Sequence, residues 1–337
     1  MAALERQFTG QVFAQIEDCT YPLTQEISES TYAYRNHGSG GVGAYVGSRL
    51  QAAGEDVSFI ARGPHLEAMR RDGLRIESPA HPLHLPSVNA SENPADIGPV
   101  DLIVFAVKLW DTEAAARSLG PMLGAQTRVL TLQNGIDSIS MIGPHAAGAE
   151  VRGGVIYVSA VIDRPGVIRS PGGLHMIVAD AANGDPVMAG FFSACARATA
   201  LDAKATVDID IVIWEKFIAL TALSGSTSLL RANMGQILAH AETRIFQRQL
   251  IDESIAVARS AGKLIRASLG DEIMTKLESM PYAFRSSMSE DLERGKPLEL
   301  RWLSGRVHYL GLQYGVPTPG HSAVLYALVL QEFGNVV

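Results

Sequence analysis

From about residue 38 to 180, short β-branched or apolar runs alternate with alanine-rich stretches and glycine or proline turns. The runs 56–61 (DVSFIA), 101–107 (DLIVFAV), 127–132 (TRVLTL) and 155–161 (VIYVSAV) predict strands. The second and third are almost continuously apolar, as strands covered on both faces of a parallel sheet must be. Between the runs, 44–53 (AYVGSRLQAA), stopped by Gly54, and 111–119 carry helical patterns. Strands alternating with helices imply βαβ units. After about residue 205 the spacing of apolar residues lengthens to the helical period over 209–230, 241–261, 271–280, 300–314 and 321–332. Glycines 225, 235, 262, 270 and 315 punctuate these stretches, and Pro317 and Pro319 mark the last turn. The pattern predicts an α/β chain in which a parallel-sheet domain over 38–205 precedes an all-helical domain over 206–337. Residues 1–37 fit neither pattern and are set apart as an anomalous segment.

Gly38-Ser39-Gly40-Gly41-Val42-Gly43 matches G-x-G-x-x-G, with a helix beginning just after it and the strand 56–61 beyond that helix. In a Rossmann-type sheet the first glycine makes the tight turn and the second lets the backbone approach a pyrophosphate. The third lets the helix pack closely, and the helix N-terminus stabilises the anion. Gly38, Gly40 and Gly43 are therefore candidate cofactor ligands; the alternative is a glycine-rich surface loop. An NAD enzyme usually places an acid at the end of the second strand, whereas here the chain reads Ala61-Arg62-Gly63. An arginine there suits a 2′-phosphate and favours NADPH over NADH, unless Arg62 is an ordinary solvated arginine. The strand before the loop is the conflicting feature. It reads Tyr32-Ala33-Tyr34-Arg35-Asn36-His37, and burying the last three unpaired costs several kcal/mol. Either the first strand is degraded or shortened, or residues 1–37, through a frame error upstream of Gly38, are not the ancestral start.

Composition narrows the classes. Apolar residues are 47% and charged residues 19% of 337, enough to bury a substantial core. A net charge of −7 argues against a dedicated nucleic-acid binder. No apolar run approaches a membrane span, and residues 1–20 lack the continuous apolar segment of a secretory signal. The two cysteines, Cys19 and Cys195, have no metal-ligand spacing and form no disulfide framework, so a cytoplasmic protein without a metal is the expectation. The helical half carries apolar stripes that serve equally a homodimer interface or a monomer core.

The segments GSGGVGAYVGSRL (38–50), IARGPHL (60–66), VKLWDT (107–112), LQNGI (132–136), WEKF (214–217), SSMSED (286–291) and PLELRWLSG (297–305), in this order, resemble the ketopantoate reductase (2-dehydropantoate 2-reductase) family over roughly 38–335. The resemblance implies a Rossmann domain, a helical domain and an active site in the cleft between them. It further implies NADPH-dependent reduction of a 2-oxo acid to a 2-hydroxy acid, with 2-dehydropantoate and pantothenate biosynthesis as the first expectation. On this resemblance Lys216 is the catalytic lysine. An ammonium donor there would stabilise and protonate the alkoxide left by hydride transfer. Lys216 begins an apolar helical run, 217–223, whose burial would tune it. Glu299 matches the glutamate that orients substrate or lysine. Lys108, closing the strand 101–107, and Asn134, after the next strand, match residues that hold cofactor and substrate; Asn134 also reads as an ordinary Asn-Gly turn residue. Ser287 matches a serine that binds the substrate carboxylate, and taken alone reads as a helix cap, as Glu299 reads as an exposed helix start.

The chain also departs from the family. Leu220 and Ser224 stand where many members have asparagines four and eight residues beyond the lysine. Met234 stands at a further asparagine position, beside Asn233, and Arg301 replaces an acid. With Ser224, Ser287 and Asn134 as the remaining polar groups for substrate, the reduction machinery reads as retained and the substrate-reading shell as altered. A different 2-oxo acid, or a catalytically weak NADP(H)-binding sensor, is the alternative.

Overall fold

A parallel sheet grows where apolar strands can be covered on both faces, and the two most apolar runs of the chain lie side by side at its centre. The computed structural model describes residues 33–334 apart from 173, 182 and 183. Residues 1–32, most of the segment set apart above, lie outside the described residues. The chain divides into two units at Ile209/Asp210.

In the first unit, β1 (Ala33–His37), β2 (Asp56–Ile60), β5 (Asn89–Ser91), β6 (Val100–Phe105), β7 (Leu123–Thr131), β8 (Glu150–Tyr157), β11 (Met176–Asp180) and β12 (Asp202–Thr206) form an eight-stranded sheet. Its order is β12-β11-β8-β7-β6-β1-β2-β5. From β5 to β8 every pairing is parallel, and β11 runs antiparallel to β8. Leu102, Ile103, Val104, Phe105, Val129 and Leu130 are fully buried, as two-sided cover requires. Helix α1 (Gly41–Ala52) follows β1, and α2 (Gly63–Asp72) follows β2. A smaller sheet, β4-β3-β10-β9, is built from β3 (Leu74–Glu77), β4 (Leu83–Leu85), β9 (Val161–Arg164) and β10 (Val167–Arg169).

The run 155–161 is displaced: β8 starts at Glu150 and ends at Tyr157. β7 begins at Leu123, upstream of the predicted run, and the polar start of β8 is accommodated by the ion pair of Arg152 with Asp180. The unfavourable first strand forms nonetheless. Tyr34, Asn36 and His37 are buried in it. The Asn36 amide, with nitrogen toward the Gly43 carbonyl (3.3 Å) and oxygen toward the Gly47 amide (3.2 Å), is satisfied at both ends. His37 packs on Phe105 with ring centroids 5.3 Å apart, and burial pushes its pKa down to about 4, so it is enclosed neutral.

The second unit is helical. Its described elements include a long helix (Ile209–Leu229), then Met234–Ala239, Ala241–Ser260, Leu269–Glu278, Ser287–Glu293, Ser304–Tyr314 and Pro319–Leu328. The stretch 300–314 is a 3₁₀ turn, Leu300–Trp302, followed by a separate helix. Among the described residues, no helix is long and apolar enough to cross a membrane.

Candidate active site

The first unit gathers its candidates on one sheet edge. In open parallel sheets, ligands bind beyond the carboxyl ends of the strands, where the strand order reverses. β1 lies between β2 and β6, which places that reversal at β1. Gly38 follows β1, Arg62 follows β2, Lys108 follows β6 and Asn134 follows β7, so all four lie at carboxyl ends of neighbouring parallel strands.

The glycine turn has the geometry its sequence requires. Gly38 has φ +99°, and a Cβ there would lie 2.6 Å from Val107 Cγ1. A Cβ on Gly43 would lie 2.3 Å from the Gly38 carbonyl oxygen, so the third glycine is what lets helix α1 close on the turn. A Cβ on Gly40 would meet nothing within 4 Å. Gly40 is also the N-cap of α1, without a side-chain capping bond and without an acid in the first turn. An uncapped, positive helix end beside open space fits a dinucleotide pyrophosphate.

Arg62 precedes α2 and lies 3.2 Å from Asp111, with 67% of its side chain exposed. An ion pair that exposed contributes little, so the guanidinium is available to a phosphate. Lys108 is exposed, with its ammonium 5.4 Å from the Trp110 ring centroid. Asn134 is half-buried next to Gly135, which has φ +84°. Sequence reasoning missed its neighbour Gln133. This buried amide donates to the Val107 carbonyl (2.9 Å) and to Thr112 Oγ1 (2.8 Å), tying the loop after β7 to the loop after β6. The signal available in the sequence was only a polar residue inside an apolar run.

The second unit holds the remaining candidates. Lys216 sits about two turns into the helix Ile209–Leu229, not at a helix start. Trp214 and Phe217 beside it are buried, edge to face with centroids 5.7 Å apart. Arg266 pairs with the adjacent Glu215 and with Glu272, and Lys263 pairs with Asp210 at 2.7 Å. The pKa of Lys216 is pushed down to about 8, first by burial and then by the positive charge of Lys276; the charge of Glu299 acts in the opposite sense. Glu299 is buried, contrary to the exposed helix start its sequence context suggests.

Ser287 is the first residue of its helix and is exposed; the cap is Ser286, whose hydroxyl accepts from the Ser289 amide. Ser286 also meets Thr227 Oγ1 at 2.8 Å, which leaves structural work to Ser286 and the Ser287 hydroxyl outside it. Ser224 is fully buried and donates to the Thr221 carbonyl of its own helix. Leu220 is half-buried and Met234 buried. Asn233 caps the helix Met234–Ala239 in a reciprocal box with Gln236, so its side chain does not replace the asparagine missing at 234. Among the described residues, no group of three or more His, Cys, Asp or Glu could hold a metal ion.

Comparison with known proteins gives this arrangement a family. The model of "Ketopantoate reductase PanE/ApbA" matches residues 37–183, and that of its C-terminal part matches 208–332. The chain belongs to the ketopantoate reductase family. It is 30% identical over 315 residues to the 2-dehydropantoate 2-reductase of Mesorhizobium japonicum, covering 86% of this chain and 94% of that one. It is 29% identical over 284 residues to the 2-dehydropantoate 2-reductase of Archaeoglobus fulgidus, covering 83% and 90%. The crystal structure of a PanE/ApbA family ketopantoate reductase from Ralstonia eutropha matches with a TM-score of 0.82 at 28% identity, covering 89% of this chain and 98% of that one. As a ketopantoate reductase family member the chain is an oxidoreductase of the NAD(P)-binding kind, with the sheet-then-helices fold of its relatives.

Proposed function

We propose that the chain reduces a 2-oxo acid to its 2-hydroxy acid with NADPH, with 2-dehydropantoate as first substrate. The observation that carries this reading is Lys216, half-buried about two turns into the helix Ile209–Leu229, with its ammonium pushed down to about 8 by burial and with the charge of the buried Glu299 acting in the opposite sense. A general acid works best when its pKa lies near the working pH. When bound, the reduced nicotinamide supplies the hydride. Gly38, Gly40 and Gly43 with the N-terminus of α1 take the pyrophosphate, and Arg62 takes the 2′-phosphate. Lys108 and Asn134 orient the ligands at the carboxyl edge of the sheet. As the C–H bond forms at the keto carbon, the carbonyl π electrons move to oxygen, and the Lys216 ammonium gives that oxygen its proton. Glu299 favours the charged form of Lys216, and Ser287 offers a hydroxyl to the substrate carboxylate.

Leu220, Met234 and the closed Ser224 hydroxyl support a second reading within the same chemistry, a 2-oxo acid other than 2-dehydropantoate. A side chain that hydrogen-bonds a substrate hydroxyl can discriminate strongly, and these residues offer no such donor. The test follows NADPH oxidation spectrophotometrically across a panel of 2-oxo acids. Turnover that is fastest with 2-dehydropantoate supports the first reading, and fastest with another member the second. Tight NADPH binding with no turnover on any member overturns both and favours a sensor.

A further inference from the structure

The glycine turn is held from both sides. The Ser39 amide donates to the Ile60 carbonyl at the end of β2 (2.9 Å), and a Cβ on Gly38 would strike Val107, beyond β6. Because β1 lies between β2 and β6, the segments that follow those two strands flank the turn. A side-chain contact joins these segments: Arg62, after β2, meets Asp111, after β6, at 3.2 Å. The backbones that carry the pair are fixed. Arg62 is the extended N-cap residue of α2. Asp111 closes a 3₁₀ turn, Leu109–Asp111, by donating its amide to the Lys108 carbonyl (2.9 Å), and the hydroxyl of the next residue, Thr112, accepts from the Gln133 amide (2.8 Å). Further along, Glu113 and Arg117 pair with each other, which leaves Asp111 as the carboxylate of this segment that turns to Arg62. Arg62 is exposed and Asp111 half-buried, and a pair so open to water is weakly held.

We propose that Asp111 tunes cofactor preference: its carboxylate occupies the guanidinium that a 2′-phosphate would use, so binding NADPH exchanges one anion for another there, whereas NADH carries no such phosphate. The inference rests on the reading of Arg62 given above and gives a role to a residue that reading leaves out. The planar fork of Arg62 suits a carboxylate and a phosphate alike. A phosphate taken by it must displace the carboxylate or lie beside it, and like charges so close repel. A cofactor with a free ribose 2′-hydroxyl meets no such competition. A carboxylate is, moreover, the acceptor that NAD sites use for that hydroxyl. In this chain the acid comes from the segment after β6 rather than from the end of β2, which has none. Asp111 therefore narrows the preference for NADPH that Arg62 creates.

The test titrates wild type, Asp111→Asn and Arg62→Ala calorimetrically with NADPH and NADH, after thermal melts have checked that each variant folds. Adenosine 2′,5′-bisphosphate and 5′-AMP are titrated in parallel, because they isolate the phosphate from the nicotinamide, and no titration needs turnover. Asp111→Asn keeps the side-chain shape and removes the charge. It is expected to bind NADPH and the 2′,5′-bisphosphate about three- to fivefold more tightly, the range of an exposed ion pair, with no gain for NADH or 5′-AMP. An unchanged or weaker affinity for NADPH in Asp111→Asn, or an equal gain for NADH, overturns the inference and leaves the role of Arg62 intact. If Arg62→Ala leaves the ratio of NADPH to NADH affinity unchanged, the underlying reading of Arg62 fails instead, so the two failures are distinguishable.

Discussion

At the scale of single residues, charge state and burial decide what each group can do. Lys216 must be protonated to act as the acid, and its pKa of about 8 is lower than that of an exposed lysine. For reduction, kcat/KM is therefore expected to fall as pH rises through about 8, as a single-proton titration; a profile flat to pH 10 would contradict the assignment. Arg62 bears on the cofactor. Arg62→Ala is expected to lower the preference for NADPH over NADH by about tenfold or more, in line with the loss of a charge-assisted phosphate contact. Parallel steady-state measurements with the two cofactors check this.

His37 gives a stability prediction whose sign follows from its lowered pKa. Between about pH 4 and 6.5 the unfolded chain binds a proton that the folded chain rejects, so this contribution is present above 6.5 and is lost as pH falls. From pH 7 to 5 it amounts to roughly 2 kcal/mol. In His37→Leu the acid-side loss of melting temperature should be smaller than in wild type, as thermal melts at both pH values would record.

At the scale of elements, the glycine turn separates folding from binding. A methyl on Gly38 meets Val107 and imposes strain at φ +99°, so Gly38→Ala should cost about 1–3 kcal/mol of stability as well as NADPH affinity. A methyl on Gly40 meets no protein atom within 4 Å. Gly40→Ala should lose at most the roughly 1 kcal/mol of a poorer N-cap, less than Gly38→Ala, yet bind NADPH more weakly, and calorimetric titration beside a thermal melt would show both.

The elements legible in the sequence were those whose burial is uniform. The two-sided strands near 101–107 and 127–132 and the long helices announced themselves because every position, or every third or fourth, is apolar. β1 read as defective because its polar residues are accommodated by distant groups: Asn36 is bonded by the backbone of α1, and His37 is tolerated by staying neutral against Phe105, with the Ser118 hydroxyl 3.4 Å from its Nε2. The start of β8 was obscured for the same reason, since its charges are cancelled by partners such as Asp180. Ser286 and Ser287 are identical in the sequence, and only the capping bond separates the structural one from the free one. Gln133 carries no local pattern at all, because its partners Val107 and Thr112 come from another part of the chain.

At the scale of the molecule, chemistry divides between two units. The sheet unit presents four candidate cofactor positions on the carboxyl edge of adjacent strands, and the helical unit contributes the lysine, the glutamate and the exposed serine. Family membership extends across both, over 37–183 and 208–332, which argues that the whole reaction rather than cofactor binding alone is what the chain retains. The most direct measurement is single-turnover NADPH oxidation by Lys216→Ala with its best 2-oxo acid, alongside NADPH binding to the same variant. Turnover reduced by a factor of about 10² to 10⁴, with binding within about twofold of wild type, is the predicted result for removing a general acid. Oxidation at a rate near that of wild type would contradict the role given to Lys216 and the mechanism built on it.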